Sequence, residues 1–80
     1  MLTDYDPTDL RSMEQATKWL ADRMEPPTRM TMRNWAIKGI LDKRNGERFK
    51  LRVEIMRGVM LTTRAWVDAF VTRYDDARRR

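Results

Sequence analysis

The stretch TRMTMRNWAIKG, residues 28–39, decides how this chain is read. At 100° per residue, Met32, Trp35 and Ala36 fall on one face of a helix. Met30, Arg33, Asn34 and Ile37 gather on the opposite face, flanked by Arg29, Thr31 and Lys38. Thr28 has the hydroxyl to cap the amides of Met30 or Thr31, and Gly39 suits the left-handed position that ends a helix. The spacing predicts a helix from Thr28 to Gly39 whose core side is Met32, Trp35 and Ala36. Its outer face carries the donor and acceptor set that reads base edges, Arg toward guanine and Asn toward adenine. A plain solvated face is the commoner outcome for such a pattern, but Met30 and Ile37 on that face have little use in an isolated monomer.

Upstream, Met13, Ala16, Thr17, Leu20, Ala21 and Met24 recur at helical spacing with Trp19 on the flank. Ser12 and Gln15 form a capping-box start, and Pro26-Pro27 end the helix. Residues 1–11, with Asp4, Asp6 and Asp9 and little apolar content, read as a flexible acidic arm.

Downstream, two hairpin readings compete. Phe49, Leu51, Val53 and Ile55 alternate strictly with Lys50, Arg52 and Glu54, and Val59 to Thr62 alternates again after Arg57-Gly58. This predicts a hairpin with its tip near Glu54 to Gly58, and it ranks first. The alternative turns at Asn45-Gly46 and pairs Ile40 and Leu41 with Phe49. A last helix, capped by Thr62 or Thr63, aligns Trp66, Val67, Phe70, Val71 and Tyr74 toward the core, and residues 76–80 read as a basic tail.

Composition narrows the functions. Eighty residues without cysteine or histidine form one small domain with no disulfide, no thiolate and no imidazole. The lone serine, Ser12, has no His to activate it, so the chain is expected not to be an enzyme and to need neither metal nor cofactor. With no long apolar run and no secretory start, it is expected in the cytoplasm of a bacterial host, associated with DNA and not with membrane. The net charge of +5 is uneven. Residues 1–28 hold six acids against three bases, and residues 29–64 hold ten bases against three acids. A cationic block of that density is the footprint expected for a polyanion, and nucleic acid is the commonest.

The order helix, helix, two-stranded hairpin, helix, with Thr28, Thr31, Trp35 and Gly39 in the second helix and Thr62-Thr63-Arg64-Ala65-Trp66 after the hairpin, resembles the MerR-like winged helix-turn-helix proteins. The resemblance covers residues 12–74, most of the chain. It implies a mainly α fold with a small β-hairpin, a winged helix-turn-helix DNA-binding domain at residues 12–75. The link from Leu20 to Thr28 is longer than the family's tight turn. Stand-alone domains of this size are similar to phage and integrative-element excisionases, also called recombination directionality factors.

That resemblance implies binding and bending of double-stranded DNA, steering a tyrosine recombinase (integrase) toward excision. The second helix would lie in the major groove, with Thr28, Arg29, Thr31, Arg33, Asn34 and Lys38 lining it, and the wing in the minor groove with Arg52 and Arg57. Phosphate contacts are expected from Lys43, Arg44, Lys50 and Arg64. The acidic start and basic middle suggest head-to-tail self-association on DNA. Two rivals stand beside this reading: a small MerR-like transcriptional regulator or terminase small-subunit DNA-binding domain, and a protein-interaction module docking through Met30, Ile37 and Met56.

Overall fold

The computed structural model describes residues 5–78. A 3-10 turn at Pro7–Asp9 leads into β1 (Arg11–Ser12), α1 (Met13–Trp19), α2 (Arg29–Ile37), β2 (Ile40–Asp42), β3 (Glu47–Phe49), β4 (Glu54–Met56), β5 (Val59–Thr62) and α3 (Arg64–Arg78). The fold is mixed: three helices with two small antiparallel sheets, one ordered β1-β5-β4 and one pairing β2 with β3.

Each helix starts where a hydroxyl can bind an orphan amide. Ser12 accepts from the Gln15 amide at 3.1 Å, Thr28 from Thr31 at 3.1 Å, and Thr63 from Trp66 at 3.2 Å. α1 ends at Trp19, five residues short of Met24, to which its apolar spacing predicts it to continue. After Trp19 the amides of Leu20 and Ala21 bond three residues back, to Thr17 and Lys18, so the helix tightens into turns well before Pro26. Leu20 is nonetheless fully buried and Met24 packs against the core, so the stripe still serves packing.

α2 ends as expected. The amides of Lys38 and Gly39 both donate to the Asn34 carbonyl, and Gly39 takes φ +74°. A Cβ on Gly39 would stand 2.3 Å from the Phe49 carbonyl oxygen, so the α2 terminus and β3 touch backbone to backbone. The next bond of this junction runs from the Leu51 amide to the Trp35 carbonyl at 3.0 Å.

That bond explains the main departure from the sequence reading. The alternation from Phe49 to Ile55 is not one strand, because Lys50 to Val53 spend their polar groups elsewhere. The Leu51 amide goes to α2, and the Arg52 carbonyl accepts from the Thr62 hydroxyl at 2.9 Å. Both competing hairpins therefore form. The first pairs Ile40 with Phe49 across the Asn45-Gly46 turn; the second pairs Ile55 with Met60 and Met56 with Val59 across Arg57-Gly58. Arg57 at φ 53° and Gly58 at φ 77° give the second its two-residue turn.

The core joins Met13, Ala16 and Leu20 of α1 and its C-cap to Met32 and Trp35 of α2, Phe49, Leu51, and Val67, Phe70 and Val71 of α3. Trp35 and Phe70 rings lie 5.0 Å apart, and Phe49 and Phe70 5.2 Å. Trp66 is not part of this stack: it is half-buried, with Tyr5 edge-on at 4.8 Å.

The segment expected as an arm packs along the body from Tyr5 onward. Arg11 and Ser12 pair with Thr62 and Leu61, and the Tyr5 hydroxyl donates to Glu54 at 3.0 Å. Residues 76–78 of the expected tail belong to α3; Asp4 and the terminal Arg79 and Arg80 lie outside the described residues.

Gly39→Ala imposes both a left-handed alanine and a backbone collision, and is expected to cost about 2–4 kcal/mol. Gly58→Ala, in open space at similar φ, should cost about 1 kcal/mol. Chemical denaturation of both variants measures the difference.

Candidate nucleic-acid interface

Because Met32 and Trp35 are buried, the opposite side of α2 must face out. Arg29, Met30, Arg33, Asn34, Ile37 and Lys38 are all exposed there. Among the described residues no ion pair engages Arg29, Arg33, Lys38, Lys43, Lys50 or Arg57, so these six cations keep their charge for solvent or a partner.

The N-terminal half of α2 stands beside the β4–β5 hairpin, and the two enclose an open groove of ≈ 700 Å³. Thr28, Arg29, Met30 and Arg33 of the α2 side and Ile55, Gly58, Val59 and Met60 of the hairpin line it, joined by Ser12, Met13 and Glu14 at the start of α1. Arg57 sits in the turn beside Gly58. A helix face bearing Arg29, Arg33 and Asn34 and a hairpin tip bearing Arg57 therefore share one side of the molecule.

Thr28 and Thr31 are committed differently from the sequence reading. The Thr28 hydroxyl accepts the Thr31 amide and lies 3.1 Å from the Thr31 hydroxyl, so the pair is spent on starting the helix. At the other end, the guanidinium of Arg48 donates to the Lys38 carbonyl at 3.1 Å. This sets a cation against the negative end of α2 and adds Arg48 to the basic surface. Sequence reasoning missed Arg48; its pairing opposite exposed Leu41 in the first hairpin was the available signal. Lys50 lies near the same end, its Cγ close to Gly39.

Four expected phosphate or wing contacts are placed elsewhere. Arg44 is bound to Asp42 through Nε at 3.0 Å and Nη2 at 2.9 Å, and its amide donates to the same carboxylate. Asp42 is 1% exposed, so this arginine neutralises a buried charge within the first hairpin. Lys43 and Arg44 line a depression between that hairpin and the end of α3, away from the groove. The guanidinium of Arg52 lies 4.4 Å over the Trp66 ring and 5.7 Å from Tyr5. Arg64 lines a third depression together with Asp6, Asp9 and Arg11 and is not among the residues of the α2 groove.

Among the described residues no cluster of His, Cys, Asp or Glu could hold a metal ion, and no helix is long and apolar enough to cross a membrane. No protein-family model, no curated protein and no solved structure matches this chain.

The hydrogen bonds from Arg44 hold the Asp42 carboxyl below the usual carboxylate range, with burial opposing them. A depressed folded-state pKa makes this pair stabilising above the unfolded value of about 3.9 and lost as pH falls through the lower folded value. The stability gap between the native protein and Asp42→Asn should be widest near neutral pH and close in acid. Thermal unfolding of both proteins between pH 7 and about pH 2 tests this.

Proposed function

We propose that this protein is a sequence-preferring DNA-binding protein of winged helix-turn-helix form, with α2 in the major groove and the β4–β5 hairpin as the wing. The observation that carries the reading is the shared groove, in which Arg29 and Arg33 of a helix with a solvent-facing cationic surface stand opposite a tight-turned hairpin tipped by Arg57. The major groove admits a helix, and nine residues at about 1.5 Å each span roughly the groove's width. Arg33 and Asn34, exposed and unpaired, are the candidates for base contact. Arg29, Lys38, Arg48, Lys50 and Arg57 are the candidates for phosphate, placing the duplex across the α2 side.

Within that class, the reading that best fits the resemblance is an excisionase, which binds repeated sites, bends attachment DNA and partners a tyrosine recombinase. Tandem protected sites in footprinting of attachment DNA support it; a single palindromic promoter site favours a transcriptional regulator. The position of Tyr5 to Ser12, folded against Trp66 and β5, leaves less free acidic segment for head-to-tail association than the sequence suggests.

If about six phosphates are neutralised, log affinity should fall against log salt with a slope near −5. Arg33→Ala should cost about 1–3 kcal/mol and relax preference at one base pair, whereas Arg44→Ala should leave the salt slope nearly unchanged and lower stability. A salt-independent affinity would refute the proposal; a salt titration by fluorescence anisotropy measures it.

A further inference from the structure

The described chain exposes six large hydrophobic side chains, and four of them surround one feature. Met30 is 65% exposed on α2, while Ile55 at 60%, Val59 at 52% and Met56 at 50% belong to the β4–β5 hairpin. The pairing register puts Ile55 opposite Met60 and Met56 opposite Val59, so apolar groups occupy both faces of the ribbon just behind its turn. Folding does not require them there, since the core lies elsewhere. Solubility argues against them. They fit a partner that offers apolar surface to the hairpin tip.

The charges around the tip identify that partner. Arg29 and Arg33 line the groove together with Met30, Ile55 and Val59, Glu14 is the one acid among its described lining residues, and Arg57 follows Met56 in the exposed turn. A polyanion that also presents apolar surface is duplex DNA, whose bases stack out of reach of phosphate-binding side chains but within reach of a narrow wedge. A whole two-stranded ribbon is too wide for a minor groove about 6 Å across, but the side chains at its two-residue turn are narrow enough to reach in. Apolar side chains inserted there part a base step and kink the helix.

Resting on the DNA-binding reading, we infer that Met56 and Val59, at the end of the β4–β5 hairpin, form an apolar wedge that unstacks a minor-groove base step while Arg57 holds the adjacent backbone. The wedge puts the work of deformation on residues other than arginine. Arg52, the other expected minor-groove arginine, is stacked on Trp66 at the base of the hairpin.

The test uses the full chain and a duplex selected by it from a random-sequence pool, labelled with 2-aminopurine at successive steps and, separately, with a donor and acceptor dye at its ends. The native protein should raise 2-aminopurine emission at one step and bend the duplex by a kink of about 20–90°. Met56→Ala with Val59→Ala should abolish both signals and keep the salt slope. Arg57→Ala should keep the emission change and lower the slope by about 1. All these side chains are exposed, and unchanged circular dichroism and melting temperature confirm that the variants fold. A double variant that still binds, still bends and still unstacks overturns the wedge while leaving DNA binding intact. Recovery of no duplex from the pool, with no salt-dependent binding, overturns both. A dimer in sedimentation velocity that the double variant converts to monomer would make the tip a self-association surface and also overturn the wedge.

Discussion

The hydrogen bond from the Leu51 amide to the Trp35 carbonyl, beside the glycine that lets β3 approach α2, is the constraint on which the rest of the structure depends. It joins the end of a helix to a chain segment 16 residues later. Without a Cβ at Gly39 the Phe49 carbonyl can sit against the helix terminus, and the Phe49 ring then falls on Phe70. Phe70 in turn meets Trp35, so one junction aligns α2, the first hairpin and α3 around a single aromatic stack. Once Trp35 and Met32 point into that stack, the helical repeat leaves Arg29, Arg33, Asn34 and Lys38 outside.

The same junction positions the second hairpin. The chain leaves Leu51 toward β4 in an extended stretch tied by the Thr62 hydroxyl to the Arg52 carbonyl, and β5 is flanked on its other side by β1. Tyr5, Arg52, Trp66 and Glu54 form a second, smaller cluster at the hairpin base, where ring, guanidinium and carboxylate meet. Through the Tyr5 hydroxyl on Glu54, this cluster ties the start of β4 to the N-terminal segment.

Much of this order is legible in the residues. Thr28 and Gly39 bracket α2 because a hydroxyl cap and a left-handed glycine are chemically suited to those two ends. The period of 3.6 separates Met32 and Trp35 from Arg33 and Asn34 with no reference to the remainder of the fold. Both hairpin turns carry glycines in left-handed conformation, and each was a recognisable candidate. The two turns are compatible and not alternatives: strict alternation suggests a continuous strand, but a ladder needs a partner for each amide, and the Leu51 amide has a closer one on α2. The length of α1 was overestimated for a related reason, since periodic burial persists through turns that no longer follow the α ladder.

The site divides in the same way. The sequence by itself determined which residues are cationic, which face of α2 they occupy, and that the 29–64 segment concentrates them. Charge alone treats every arginine as available. Only the tertiary structure decided that Arg44 neutralises buried Asp42, that Arg52 lies over Trp66, that Arg64 lines a different depression from the α2 groove, and that Arg48 reaches the Lys38 carbonyl. Availability depends on which group stands within a few ångströms once distant segments meet, and that is a property of packing that no local pattern encodes.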